Sequence, residues 1–209
     1  MRRVRWKRLD YAKPAEELAP ALLGHLLVRV MPGGERVSGR IVEAEAYLGK
    51  RDLASHAAGG RRTARNEAMY GPPGLAYVYF TYGMHFCMNV VCGEREEPVA
   101  VLIRALEPVE GVALMRRRRR ARRKGAKSAL RDVELCAGPA RLCQALAIDG
   151  RQNGLDLVRS GELFIEHSTA AGSAGERVRA GPRIGLGEVG EWNAAALRFR
   201  IEGNAHVSR

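Results

Sequence analysis

Short stretches in which apolar and polar positions alternate predict a structure built mainly from β-strands, with a few short helices. The predicted strands cover residues 25–31, 36–48, 75–81, 85–92, 99–104, 155–158, 162–166, 182–186 and 197–201. The predicted helices cover residues 14–23, 108–115 and 138–147. The expected class is therefore α+β: a single mixed domain with a curved, mostly antiparallel β-sheet, flanked by short helices and carrying a protruding β-hairpin.

Residues 49–74 interrupt this pattern and are rich in Gly, Pro, Arg and Asn. A loop of this length inside a compact domain is usually either functional or disordered. We expect an ordered loop that contains one helical turn.

The strand at residues 36–48 has two different faces. One face is expected to carry Val42, Ala44, Ala46 and Leu48, and the other Ile41, Glu43, Glu45 and Tyr47. A carboxylate in a partly apolar, aromatic pocket has a raised affinity for protons, which suits a general base that takes a proton from water. The alternative is an exposed edge strand whose outward acids serve solubility.

Three of the six tyrosines lie in one predicted hairpin, at Tyr77, Tyr79 and Tyr82. Tyr77 and Tyr79 share a strand face, whereas Tyr82 occupies the tip, where Gly83 allows the turn. Apolar surface at an exposed tip is unfavourable unless a partner covers it. Tyr82 either folds back onto the sheet or acts as a wedge that enters a nucleic-acid duplex.

The composition supports one folded domain. The chain has 209 residues, of which 46% are hydrophobic and 28% charged, enough to bury a core of its own. No apolar run is long enough to cross a bilayer, and the basic start MRRVRWKRLD lacks the apolar stretch of a signal peptide, so a membrane or secreted protein is not expected. The cysteines are predicted to be buried thiols in a reducing compartment; they are Cys87, Cys92, Cys136 and Cys143.

The net charge of +12 suggests a polyanionic partner such as nucleic acid, but its distribution qualifies that inference. Residues 116–131 contain ten basic residues and no acid, so the rest of the chain has 25 basic against 23 acidic residues. We treat 116–131 as a basic insert in a single domain spanning residues 1–209. The insert is a solvated, partly disordered loop, an arm that contacts phosphates or, in a nucleated cell, a nuclear address.

Other site chemistries have weaker support. The five histidines are scattered without an HExxH spacing, and no phosphate-binding loop motif is present. Glu43, Glu45 and Asp52 together offer a weak alternative, a magnesium-dependent nuclease. Arg104 ends an apolar run and needs an anionic or carbonyl partner, and His56 is either a structural loop histidine or a site residue.

The chain resembles the 3-methyladenine DNA glycosylases of the alkyladenine glycosylase type in five segments: GRIVEAEAYLG (39–49), DLASHAAGGRRTARNEAMYGPPGLAYVYFTYGMHFCMNVV (52–91), VLIRALEPVEG (101–111), GPARLCQAL (138–146) and RIGLG (183–187). The resemblance implies a mixed domain with a curved antiparallel sheet. It also implies base excision repair of alkylated or deaminated purines (3-methyladenine, 7-methylguanine, hypoxanthine and ethenoadenine), without a cofactor and without a metal. The arginines at 116–124 and the carboxyl-terminal segment depart from the family pattern.

The resemblance also implies roles for individual residues. Glu45 is the general base that activates the attacking water, and Arg104 holds that water or orients Glu45. The extruded base stacks on Tyr47 and His56 with one face and on Tyr79 with the other. Asn89 lies at the pocket border, where it would clash with a guanine amino group. Tyr82 fills the place in the duplex that the extruded base leaves, and Met84 lies beside Tyr82.

These roles agree with what the residue types can do chemically. An enzyme that acts on C1′ of a nucleotide must extrude the base from the duplex. None of the five motifs places a lysine for a Schiff base, so we expect a monofunctional glycosylase that leaves an abasic site in double-stranded DNA. The alternative hypothesis is that the protein is a basic nucleic-acid-binding module without catalytic activity. We further expect a monomer with no membrane partner, in the cytoplasm of a bacterium or, in a eukaryote, in the nucleus.

Overall fold

One curled antiparallel sheet with a few short helices forms the framework, which confirms the predicted α+β class. The computed structural model describes residues 4–122, 129–168 and 176–208. Its strands are β1 Leu26–Val30, β2 Arg36–Tyr47, β3 Ala76–Thr81, β4 His85–Val91, β5 Ala100–Glu110, β6 Leu163–Glu166, β7 Val178–Gly181 and β8 Arg198–Ile201. Its α-helices are α1 Arg8–Tyr11, α2 Ala15–Leu22, α3 Val112–Ala121 and α4 Pro139–Leu146.

β2 is the central strand of the sheet. The main strand order is β3-β4-β5-β2-β1-β6. β2 pairs with β5 along most of its length, with β1 at its first half and with β8 at Glu43–Glu45, while β7 pairs with β8. The acidic part of β2 is therefore enclosed by strands on both edges, and the exposed edge strand considered above is wrong.

A double irregularity lies where β2 meets β5. Glu43 pairs with Ala105 and Ala44 with Ile103, so Val42 on β2 and Arg104 on β5 have no opposite residue in the register. Such bulges bend a strand and redirect side chains. Ile41 packs in the same core cluster as Val42, whereas Glu43 and Glu45 contact Arg104, so the predicted grouping of Ile41 with the acids is wrong.

Several boundaries differ from the prediction for local reasons. Residues 108–110 extend β5 and the helix begins only at Val112, because Gly111 has a φ of 70° and breaks the strand. Residues 155–158 form a turn with one isolated bridge, from Leu75 to Asp156. The strand expected at 182–186 is wrong; β7 ends before Pro182, which has no N–H to donate to a sheet.

The loop at residues 49–74 is ordered, as predicted, and contains more helical structure than expected. It has three short 3-10 turns, Gly49–Arg51, Ala58–Gly60 and Glu67–Tyr70. Buried Asn66 donates from Nδ2 to the carbonyls of His56 (3.0 Å) and Arg61 (2.8 Å). Further 3-10 turns lie at Asp132–Glu134, Gly150–Gln152 and Gly190–Asn193.

The described part of the basic insert is helical. Arg116–Arg120 lie in α3, where Arg118 donates to the Ala145 carbonyl (3.1 Å) and Arg119 to Gln144 of α4, while Arg116 pairs with Asp132. Whether the insert is ordered stays a prediction, and residues 123–128 lie outside the described residues. The four cysteines are buried and free, as predicted, and no helix in the described ranges could span a membrane.

Gly111 gives a test of the packing between β5 and α3. A Cβ at Gly111 would lie 2.7 Å from the Arg36 carbonyl oxygen, in a backbone conformation that L-residues avoid. We expect Gly111→Ala to lower the free energy of unfolding by about 2–3 kcal/mol, measured by urea denaturation. Gly161→Ala, whose added Cβ meets no atom within 4 Å, is the control. Equal stabilities of the two variants would contradict this account.

Candidate active site

A cavity of about 360 Å³ opens beside the hairpin of β3 and β4. Its lining includes Tyr47 of β2, His56 of the long loop, Tyr79 of β3 and Asn89 of β4. A second cavity of about 490 Å³ lies on the other side and is lined in part by Arg104, Cys87 and Ser208. Thr81 and Tyr82 line both cavities, so the hairpin separates them.

Glu45 is fully buried and lines neither cavity, but it contacts Tyr47, which lines the first cavity, and Arg104, which lines the second. Tyr47 Oη donates to Oε2 (3.1 Å), the Ile184 backbone N–H donates to Oε1 (2.8 Å), and Arg104 Nη1 lies 3.2 Å from Oε1. A carboxylate offers about four acceptor positions, so these three contacts leave one on Oε2. Burial raises the pKa of Glu45 above the ordinary glutamate value, and the charge of Arg104 partly offsets that rise.

Arg104 connects the two acids of β2. Its Nε donates to Glu43 Oε1 (3.1 Å), its Nη2 donates to Ser208 Oγ (3.3 Å), and its Nη1 faces Glu45. Burial lowers the pKa of Arg104, but the charges of Glu45 and Glu43 outweigh it and the net shift is upward. The guanidinium therefore stays charged beside the carboxylate that it was predicted to orient.

Glu43 has no exposed surface and is held by four donors. Besides Arg104, these are Arg198 Nε (2.6 Å to Oε1), Ser208 N (2.6 Å to Oε2) and Ser208 Oγ (2.9 Å to Oε1). The sequence pattern predicts Glu43 as an acid of this face but predicts neither Arg198 nor Ser208 beside it. Neither residue lies in a motif that marks it.

Asp52 does not join Glu43 and Glu45 in a metal site. Arg183 makes two hydrogen bonds to it, Nη1 to Oδ2 (2.6 Å) and Nη2 to Oδ1 (2.9 Å), with both side chains fully buried. In the described parts of the chain, no three His, Cys, Asp or Glu side chains are arranged to hold a metal ion. The magnesium cluster is thus wrong, because these carboxylates are bound by guanidinium groups.

Arg183 also supports the cavity wall, a role that the sequence analysis missed. Its Nη1 donates to the Ala46 carbonyl (3.0 Å), and its guanidinium carbon lies 4.7 Å from the centre of the Tyr47 ring. The next residue is Ile184, whose N–H binds Glu45. The only sequence signal was the segment RIGLG, and its place in the family resemblance did not reveal this contact.

The aromatic wall is built around His56. Its Nδ1 lies 2.6 Å from Tyr77 Oη, and its ring meets that of Tyr79 edge-on with 4.5 Å between centroids. Burial, with a contribution from Arg65 and Arg61, lowers the pKa of His56 to about 4, so the imidazole is neutral at pH 7. A purine stacked between His56 and Tyr79 requires these rings to move apart; the stacking roles remain predictions.

Asn89 is buried on β4 and lines the cavity. Its Nδ2 donates to the Tyr77 carbonyl (3.1 Å), which fixes the side-chain amide against β3. Its role at the border of a base pocket, where it would exclude a guanine amino group, stays a prediction.

The hairpin tip exposes two large apolar side chains. Tyr82 is 80% and Met84 66% exposed, so Tyr82 does not fold back onto the sheet. Tyr82 has a φ of 51° and Gly83 a φ of 67°, and Met84 N donates to the Thr81 carbonyl (3.2 Å). A non-glycine residue in this region costs about 1–2 kcal/mol. Strain of this kind is concentrated at functional sites.

Six of the eight predicted site residues line the cavities: Arg104, Tyr47, His56, Tyr79, Asn89 and Tyr82. Glu45 is buried behind Tyr47 and Arg104, and Met84 is exposed beside Tyr82 at the tip. The arrangement combines a buried carboxylate, a cavity with aromatic walls and an exposed aromatic wedge.

Comparison with known proteins relates the chain to enzymes of one kind. A family model described as "Methylpurine-DNA glycosylase (MPG)" matches residues 9–205. The DNA-3-methyladenine glycosylases of Mus musculus and Homo sapiens are each 46% identical over 199 residues, 95% of this chain but 59% and 66% of those proteins. A putative 3-methyladenine DNA glycosylase of Methanocella arvoryzae is 44% identical over 199 residues, 95% of this chain and 93% of that protein. The chain thus spans less than two thirds of the length of the two mammalian relatives.

The Asp52–Arg183 pair gives a test of the support behind Tyr47. Asp52→Asn keeps the side-chain shape but leaves a buried guanidinium without its counter-charge, which we expect to cost about 3–5 kcal/mol of unfolding free energy. The control is Glu202→Gln, which breaks the exposed pair with Arg179 and should cost at most about 1 kcal/mol. Urea denaturation measures both, and a loss for Asp52→Asn no larger than that of the control would contradict the assignment.

Proposed function

This chain belongs to the methylpurine-DNA glycosylase family, and on that premise we propose that it is a monofunctional DNA repair glycosylase. It excises alkylated or deaminated purines, of the class of 3-methyladenine, 7-methylguanine, hypoxanthine and ethenoadenine, from duplex DNA. Hydrolysis of the N-glycosidic bond leaves an abasic site.

The observation that carries this proposal is the buried Glu45–Arg104 pair beside a cavity with aromatic walls. Glu45 Oε2 has an acceptor position for the attacking water and takes its proton. Breaking the bond to the base develops positive charge on the sugar, and the carboxylate stabilises that charge. Glu45 therefore performs two functions in one step.

Arg104 keeps Glu45 ready for this step. Burial favours the protonated acid, which cannot act as a base, and the guanidinium opposes that effect. The Tyr47 hydroxyl and the Ile184 N–H fix the direction of the carboxylate. Preorganised groups of this kind need little rearrangement when charge develops in the transition state.

The cavity suits a flipped purine. Its volume of about 360 Å³ falls in the usual range for small-ligand sites. Tyr47, His56 and Tyr79 supply ring surfaces, and electron-rich rings attract a cationic alkylated base. Neutral His56 adds no positive charge to the wall, so it does not oppose such a base.

Tyr82 acts as the wedge. Extruding a nucleotide costs a few kcal/mol, which stacking and backbone contacts must offset. An exposed tyrosine held in a strained turn between the two cavities lies where it can fill the gap left by the base. No lysine lines the 360 Å³ cavity in the part of the chain that is described, which supports hydrolysis without a Schiff base.

Glu45→Gln tests the general base. The variant should bind lesion-containing duplex with unchanged affinity, while the single-turnover rate of base release falls by about 10²–10⁴-fold. Duplexes with each of the four lesions are incubated in chelating buffer, and the freed base is measured by chromatography. Glu202→Gln is the control. Unchanged release by Glu45→Gln would overturn the assignment, and no release by the wild type from any duplex would favour a non-catalytic binding module.

The pH dependence of release follows from the same residue. Only ionised Glu45 accepts a proton, and its pKa is raised by burial, so the rate should fall as the pH drops through a midpoint above the ordinary glutamate pKa. A pH profile of single-turnover rates measures this acid limb. A midpoint at or below the ordinary value would contradict the role of burial.

Tyr82→Ala tests the wedge. Alanine keeps the Cβ and removes a ring that is 80% exposed, so fold stability should change little while the stacking surface is lost. We expect affinity for lesion duplex to fall at least tenfold and affinity for single strands much less, as measured by fluorescence anisotropy. Leu9→Ala, at an 81% exposed position on α1, is the control. Equal losses on duplex and single strands would exclude the wedge.

A further inference from the structure

Ser208 makes contacts that connect the carboxyl-terminal segment to the centre of the site. We propose that Ser208 is a positioning residue for base excision: it holds Glu43 and Arg104 so that Arg104 Nη1 is directed at Glu45. The inference rests on the proposed function, because it assigns Ser208 a part in the step that Glu45 carries out.

The contacts of Ser208 are short and buried. Its backbone N–H donates to Glu43 Oε2 (2.6 Å), its hydroxyl donates to Glu43 Oε1 (2.9 Å), and that hydroxyl oxygen accepts from Arg104 Nη2 (3.3 Å). Ser208 is 7% exposed. One side chain thus touches both members of the Glu43–Arg104 ion pair.

The position of Arg104 makes these contacts important. Arg104 has no opposite residue in the β2–β5 register, so its orientation depends on the contacts of its guanidinium group, which include a long hydrogen bond from Nη1 to the Ile184 carbonyl (3.4 Å). Glu43 holds Nε and Ser208 holds Nη2. With these two nitrogens occupied, Nη1 is the one that faces Glu45, at 3.2 Å.

Without the hydroxyl, Arg104 gains a competing arrangement. Glu43 would lose one of its four donors and Nη2 would lose its acceptor, so the guanidinium could turn to bind Glu43 with two nitrogens, as Arg183 binds Asp52. Glu45 would then keep its burial but lose part of the charge that opposes it. Both the rate of excision and the proton affinity of Glu45 would respond.

Loss of the Ser208 hydroxyl leaves the other groups near Glu45 in place. Tyr47 of β2 donates to it, the Ile184 N–H donates to it, Cys87 of β4 is an electrostatic neighbour, and Arg198 of β8 pairs opposite it in the register. None of these touches the Ser208 hydroxyl among the described contacts, so a change at that hydroxyl reaches Glu45 through Arg104.

The test compares Ser208→Ala with two other variants. Ser208→Ala keeps the backbone N–H bond to Glu43, so the segment should stay docked. Ser208→Thr keeps the hydroxyl. Ser38→Ala is the matched control, because Ser38 is fully buried on β2 and donates to the Glu110 carboxylate (2.8 Å), outside the site. Urea denaturation checks that the two alanine variants lose similar stability.

We expect Ser208→Ala to release base about tenfold more slowly under single-turnover conditions, with unchanged affinity for lesion duplex. The acid limb of its pH profile should move to higher pH, because a loosened Arg104 leaves the effect of burial on Glu45 less opposed. Ser208→Thr and Ser38→Ala should match the wild type in rate and profile. Equal rate losses in Ser208→Ala and Ser38→Ala, or no rescue by threonine, would overturn the proposal.

A second measurement does not depend on activity. Carbon-13 NMR of protein labelled at the glutamate carboxyl carbons follows the titration of Glu45, whose signal is assigned by its loss in Glu45→Gln. The midpoint should rise in Ser208→Ala alone. An unchanged midpoint overturns the proposal, and so does a raised midpoint with unchanged excision. If the wild type releases no base, the proposed function fails, and the midpoint still decides whether Ser208 controls the Glu45–Arg104 pair.

Discussion

The burial of two glutamate side chains on one strand is the constraint on which the site depends. Removing a carboxylate from water costs several kcal/mol unless cations and hydrogen-bond donors replace the water. Glu43 and Glu45 meet this requirement with Arg104 between them, Arg198 on the adjacent strand, and backbone N–H groups from residues 184 and 208. Much of the irregular structure around β2 has the effect of delivering these donors.

The same constraint explains why distant segments converge. The bulge in β5 directs Arg104 toward both acids, and β8 places Arg198 opposite Glu45 in the register. The segment after β7 supplies Arg183 to Asp52 and the Ile184 N–H to Glu45. Each contact satisfies a buried polar group, and together they fix the geometry on which the proposed hydrolysis relies.

The hairpin tip differs from the buried acids, because its apolar side chains and its strained backbone are left without stabilising contacts. It exposes Tyr82 and Met84 to water and holds Tyr82 in a left-handed backbone conformation. Both features raise the free energy of the tip in the absence of a partner. The buried acids, whose acceptor atoms are hydrogen-bonded, and the exposed, strained tip lie next to each other. In the proposed function the first performs the chemistry and the second maintains the opening of the duplex.

The sequence by itself determined the α+β class, most strand positions, the buried cysteines and several of the residues that line the cavity, among them Tyr47, His56 and Tyr79. These follow from local alternation, turn residues and long motifs, which do not need distant contacts to be recognised. The sequence did not determine the partners of those residues. Asp52 shows this best: its nearness in sequence to Glu43 and Glu45 suggested a shared metal ion, but Arg183 binds it from 131 positions away. The sequence likewise did not determine the packing of Ile41, the residue at which α3 begins or the contacts of Ser208. Bulges, strand ends and ion pairs depend on which distant donor reaches a buried acceptor, and only the folded chain decides that.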